Sequence, residues 1–371
     1  MSTEEETTTP AERRTAKRAV AGRLSWGLAD QAVSSLSNFA VGICVARSLG
    51  LTAFGVFSLA WLTYGVVLNV SRGLATDPLM VRFSGVPAPA WQAAVARASG
   101  TALGVGAALG AVSLVVGLVV GGGLGTAFAC LGVVLPGLLL MDAWRFAFFA
   151  AGAGRKAFVN DLVWGIALVP AMVLATRVGG VAAFVLAWGA SAAVAAVYGW
   201  LQSGIRPRPG GARAWLREHR DLGSRYLVEN VANSGASQLR AYGLGVIAGV
   251  GAVGVIRGAE LLLGPFLAVL MGLSLVTVAA AGLRALGAAR RSLRSQLVAS
   301  ACYVTGGLGG AAAYGTAGSA WGVAAATLCG SAVWWLQLRS ALREHHRNHR
   351  ADLSDAPDVP EVPEVPEVRT S

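Results

Sequence analysis

The residues of this chain that could do chemistry are charged and polar groups set inside long apolar runs. In the run that begins near Arg225, Glu229, Asn233, Ser237 and Arg240 recur at i, i+4, i+8 and i+11, which places them on one face of a helix. Arg257 and Glu260 follow one turn apart at the start of the next run. Near the beginning of the chain Asp30, Ser34, Ser37 and Asn38 make a comparable wet face, and Arg72 closes the second run. A charged side chain in a bilayer interior costs about 2.5–3.5 kcal/mol or more, so such groups face protein or water and mark the path of a ligand or ion. A guanidinium suits phosphate, because its planar fork binds two oxygens and keeps its charge. Arg72, Arg240 and Arg257, with Asn38, Asn233 and Ser237, are therefore candidate substrate contacts. Asp30, Glu229 and Glu260 are candidates to hold a coupling proton or sodium ion. The plainer alternatives are an Arg240–Glu260 or Arg257–Glu260 pair that fixes helix register, and acids that snorkel to an interface.

A second group comprises Arg72, Asp77 and Arg82 in SRGLATDPLMVRF, then Asp142, Arg145, Asn160 and Asp161. These suit anionic headgroups or a lipid-linked diphosphate arriving from the inner leaflet, or simple positive-inside anchoring. Enzymatic constellations are not found. His219, His345, His346 and His349 stand outside the apolar runs, and no nucleophile elbow, phosphate loop or zinc spacing occurs. Cys44, Cys130, Cys302 and Cys329 stand singly in separate runs and read as small core residues. The expectation is a protein that is not an enzyme, with no catalytic residue, no bound metal and no cofactor beyond the coupling ion.

The elements that must position these groups follow from composition. With 371 residues, 55% hydrophobic and 13% charged, and a mean hydropathy of +0.59, the chain is an all-α polytopic membrane protein. About ten spans fit it, near 25–47, 55–75, 95–120, 124–145, 159–176, 180–202, 225–248, 257–281, 296–315 and 318–338. The net charge of +11 reflects topology, not nucleic acid. Basic clusters fall on every second connection, whereas Gly121–Gly125 and Gly315–Gly318 have none, which predicts a multi-pass protein of the cytoplasmic membrane with both termini in the cytoplasm. No cleavable leader is expected before the first span.

The first run also repeats. Sliding Asp30 onto Glu229 without a gap sets Gln31 on Asn230, Ser34 on Asn233, Asn38 on Ser237, Gly50 on Gly249 and Gly55 on Gly254. Two homologous halves follow, parallel because both copies start at a basic segment, with a path expected at their interface. The expected division is a disordered tail over 1–22, a six-helix bundle over 23–202, a basic linker over 203–224, a four-helix bundle over 225–338 and a disordered tail over 339–371 that ends in Val-Pro-Glu repeats.

The stretch LADQAVSSLSNFAVGICVARSLGLTAFGVFSLA, with SRGLATDPLMVRF after it, resembles polysaccharide and teichoic-acid exporters of the superfamily that holds the MATE drug exporters and the O-antigen and lipid II flippases. The match is clearest over 23–83 and recurs near Glu229. That resemblance implies a MATE-like pair of helix bundles around a central cavity, and a flippase for a lipid-linked oligosaccharide or polysaccharide precursor. By it, Arg240 and Arg257 would meet a diphosphate, and Arg72 would be an early contact. The partners it implies are the lipid bilayer, the lipid-linked glycan, and glycosyltransferases or a polymerase of the same pathway. Family members usually carry twelve or fourteen helices, so about ten is a departure. Two rivals stand: a proton- or sodium-coupled exporter of small amphiphiles, and a non-transporting scaffold in envelope polysaccharide assembly. Abundant Ala, Gly and Arg with scarce Lys suggests a bacterium of high GC content.

Overall fold

A computed structural model describes residues 10–260, 279, 283 and 289–354. Every element among them is helical: α1 (Pro10–Ser48), α2 (Leu51–Ser71), a π turn (Arg72–Thr76), α3 (Asp77–Phe83), α4 (Ala88–Val120), α5 (Gly122–Ala150), α6 (Gly154–Val178) and α7 (Gly180–Ser203). A 3₁₀ turn (Pro209–Gly211), α8 (Ala212–Glu218) and α9 (Arg220–Ala248) follow. Helix α10 covers 250–260, and α11 (Ala289–Ser354) is interrupted by non-helical backbone at Tyr314 and Gly315.

Six stretches among the described residues are long and apolar enough to cross a membrane: Leu51–Phe83, Ala88–Val120, Gly122–Ala150, Gly154–Val178, Gly180–Ser203 and Arg291–Glu344. The last is divided at Tyr314 and Gly315, where the sequence places a break between two spans. Helices also cover the spans expected at 25–47 and 225–248. The span expected at 257–281 runs past residue 260 and lies largely outside the described residues, as do the Val-Pro-Glu repeats. Helix takes in residues 10–22 and 339–354, which the sequence pattern assigns to disordered tails. Both segments are rich in Ala and Arg, good helix formers, and Pro10 occupies a first position where its missing N–H costs nothing.

Glycine shapes the bundle at two kinds of place. Hairpins turn at Gly121 (φ +66°) and Gly315 (φ +62°), in left-handed backbone that a side chain disfavours. Beside each turn, facing glycines bring two backbones together. Gly110 meets Gly132 and Gly117 meets Gly125 between α4 and α5; Gly310 meets Gly318 and Gly306 meets Gly322 across the break in α11. Leucine at Gly110, whose Cβ would lie 2.5 Å from the Gly132 carbonyl oxygen, should cost about 1–3 kcal/mol or more by overpacking. Leucine at Gly104, where a Cβ meets nothing within 4 Å, should melt in detergent as wild type does.

Helices α1 to α7 form the first half around a core that includes Val45, Phe57, Leu135, Trp164, Phe184 and Trp188. In the second half α11 packs on α9. The halves meet where α2 and α3 run antiparallel to α9. Gly55 lies against Val250, Thr63 is hydrogen-bonded to Tyr242, Gly65 lies beside Gln238, Gly73 sits on the Leu227 backbone, and Arg82 reaches Asp221. Gly254, the residue that the repeat aligns with Gly55, packs on Leu51 and Gly55. One end of the molecule holds the turns at Gly50, Gly121, Gly179, Gly249 and Gly315; the other carries the exposed Arg155 and Lys156 and the arginines of the 204–225 connector.

Candidate functional site

Pro78 lacks the N–H that would bond the preceding turn, and the backbone before it widens into the π turn at Arg72–Thr76. This offset sits where Arg72 reaches α5. Its guanidinium grips Asp142 at two points, Nε to Oδ2 at 3.0 Å and Nη2 to Oδ1 at 2.6 Å, and lies 4.9 Å from the centre of the Phe146 ring. Planar bidentate contact of this kind is what arginine provides and lysine does not.

One turn further along α5, Arg145 stands between two acids from different helices. Its Nε donates to Asp30 Oδ2 of α1 at 2.6 Å and lies 3.6 Å from Asp161 Oδ2 of α6, while Nη2 reaches Gln31 Oε1 at 3.3 Å. Asp30, Asn160 and Asp161 are each buried to within 1% of complete. Asp30 Oδ1, both Asp161 oxygens and both polar atoms of the Asn160 amide have no hydrogen-bond partner among the described residues. With the adjoining Arg72–Asp142 pair, the neighbourhood holds three carboxylates and two guanidiniums. It is one positive charge short of balance.

The second half holds the opposite arrangement. Arg240, 5% exposed, donates to Glu260 at 2.7 Å, and Arg257 donates to the other oxygen of Glu260 at 3.0 Å. Arg240 also lies 5.3 Å from the centre of the Tyr303 ring, runs along Gly307, and keeps a buried Nε with no hydrogen-bond partner among the described residues. Two guanidiniums thus share one carboxylate. The register pair that the sequence offered as an alternative is formed on both arginines.

The remaining sequence-selected groups are distributed between these clusters and the seam. Asn38 is half-buried on α1, Ser237 bonds Gln238 at 2.8 Å, and Glu229 is exposed. The Asn233 side chain lies outside the described residues. Asp77 accepts a 2.7 Å bond from Asn230 across the halves. The first-half and second-half clusters share no ion pair or hydrogen bond among the described residues.

No protein-family model matches the chain, and no curated protein matches it. Among solved structures, a MOP superfamily transporter from Pyrococcus furiosus Vc1 (DSM3638) aligns with 87% of this chain and 95% of its own, with a TM-score of 0.52 and 15% identity. The chain has the fold of a MOP transporter. That likeness is to the superfamily fold and does not single out the polysaccharide branch.

Within the MOP fold, some of the groups that join the halves are ones the sequence pattern leaves unmarked. Thr63, Tyr242 and Gln238 lie on α2 and α9 among Gly, Ala and Val, and only their polarity inside apolar runs could have drawn notice. Phenylalanine at Tyr242 should cost about 0.5–1.5 kcal/mol through loss of its bond to Thr63. Detergent melting of Tyr242→Phe beside Thr63→Val and the double variant measures it. If the bond joins the halves, the two losses will not add.

Proposed function

We propose that this chain is a membrane transporter whose two halves move against each other and whose buried Asp30–Arg145–Asp161 cluster carries the coupling cation. The observation that carries this reading is a pair of fully buried carboxylates on one guanidinium, inside a MOP fold. Buried carboxylates without full pairing are costly and are kept in membrane helices chiefly where charge must come and go. A proton or sodium ion would supply the missing charge. Glu260 is a weaker candidate for coupling, because two arginines already engage it.

For the substrate, we favour an amphiphile with an anionic head, such as a lipid-linked oligosaccharide precursor moved between leaflets. What supports it is the surplus guanidinium at Arg240 and Arg257, with a buried Arg240 Nε available to an acceptor. Release of Glu260 would free a bidentate fork for a phosphate. The test uses wild-type protein in proteoliposomes, with a fluorescent undecaprenyl-diphosphate saccharide in one set and a cationic dye in another. Flipping of the lipid-linked sugar supports the anionic reading. Export of the cationic dye alone would replace it with the small-amphiphile exporter, and movement of neither would favour the scaffold.

A further inference from the structure

The connector between the halves is built as a rigid display of arginine. Trp215 of α8 is fully buried, donates its indole N–H to the Leu74 carbonyl at 3.1 Å, and stacks on His219 with ring centres 4.0 Å apart. The Arg208 backbone N–H donates to the Ala96 carbonyl at 2.7 Å, and Gly100 allows α4 to lie directly on the Arg208 backbone. Ile205 is buried as well. The peptide is fixed on both sides of Pro207 and Pro209, so its side chains are held at the surface rather than trailing from it.

Six of those side chains are exposed arginines: Arg206, Arg208, Arg213, Arg217, Arg220 and Arg225. The segment has two acids, and the first half takes up both. Glu218 accepts from Arg97 at 2.7 Å, and Asp221 accepts from Arg82 at 2.7 Å. None of the six exposed arginines has an ion pair among the described residues. Arg155 and Lys156, also exposed, add to the same end of the bundle. The arginines begin just beyond Trp200 and Leu201, which are 38% and 69% exposed at the end of α7. That is the level at which an aromatic and aliphatic belt gives way to headgroups.

We propose that this connector is a docking surface for anionic phospholipid headgroups, whose phosphates bridge the exposed arginines and hold α8 and the start of α9 on the first half. An anionic leaflet attracts basic segments lying near its surface, and guanidiniums bind phosphate oxygens in pairs. General positive-inside anchoring requires only that Lys and Arg stay on one side. Here the neutralising acids are engaged inward, and the arginines stand on a platform packed against Leu74 of the π turn that begins at Arg72. This surface lies outside the coupling cluster, and headgroups would dock on it whether or not the protein transports.

The purified full chain in detergent is titrated with phosphatidylglycerol, with phosphatidylcholine and with inorganic phosphate, and read by melting midpoint and by lipid retained in native mass spectra. Phosphatidylglycerol should raise the midpoint and remain bound, while phosphatidylcholine and free phosphate should do neither. Arg208→Gln/Arg213→Gln/Arg217→Gln should weaken phosphatidylglycerol binding about tenfold or more while melting as wild type does in phosphatidylcholine. The matching triple lysine variant, which keeps the charge, should keep much of the binding. Equal response to the two lipids, an equal shift with inorganic phosphate, or unchanged phosphatidylglycerol binding by the glutamine variant would each overturn the proposal. The wild-type comparison decides on its own should the variant fail to fold.

Discussion

Arg145→Gln should destabilise the folded protein by about 3–5 kcal/mol, because it removes the guanidinium that stands between two buried carboxylates. Asp30 and Asp161 are almost fully buried, and Arg145 is their ion-pair partner among the described residues. Coulomb attraction between the partners is lost while the desolvation cost of each acid remains. Adding Asp30→Asn takes away one of the two stranded charges, so the double variant should recover a large part of the loss. Detergent melting of the two single variants and the double measures the coupling directly. Arg155→Gln, an exposed change at the α5–α6 turn, should lie within about 0.5 kcal/mol of wild type. A neutral Arg145→Gln would mean that the three side chains do not form the cluster described.

The second large effect is expected at the glycine-rich end of the seam. Gly55 and Gly254 let α2 and α10 touch through their backbones, with Gly55 on the Val250 carbonyl and Gly254 on the Leu51 carbonyl. A leucine at either position has no room and must push the halves apart. If transport requires this end to close in part of the cycle, Gly55→Leu and Gly254→Leu should each reduce it to background in proteoliposomes without preventing insertion. A Cβ at Gly251 would lie 3.7 Å from Thr52 Oγ1, so disulfide formation in a Thr52→Cys/Gly251→Cys background should be efficient, and should fall when Gly55→Leu is added. Transport at the wild-type rate by both leucine variants would show that closure of this end is not needed.

The same two glycines show how far the sequence could be read. The gapless repeat pairs Gly55 with Gly254 from residue order alone, and in the folded chain Gly254 packs on Leu51 and Gly55. The repeat also pairs Asp30 with Glu229, yet Asp30 is buried on Arg145 while Glu229 is exposed. An alignment of two positions does not fix their surroundings. The wet face of α1 was legible because polar groups at helical spacing in an apolar run must turn toward protein or water. Its partner was not, since Arg145 is 115 residues distant and periodicity says nothing about which helices meet. Arg240, Arg257 and Glu260 were legible as an ion-pair set because the last two stand one turn apart. The π turn had only Pro78 as a signal, and a proline within an apolar run announces a disturbance without its form.

The most direct test of the central claim is transport by Asp161→Asn in proteoliposomes under an imposed cation gradient, with proton and sodium gradients applied separately. Asparagine keeps the shape and leaves Arg145 on Asp30, so the protein should stay folded, as its melting midpoint will show. The proposal predicts that gradient-driven transport is lost while gradient-independent equilibration of substrate persists. Wild-type response to either gradient by a folded Asp161→Asn would contradict a coupling role for the buried cluster and return Asp30, Arg145 and Asp161 to a purely structural pairing.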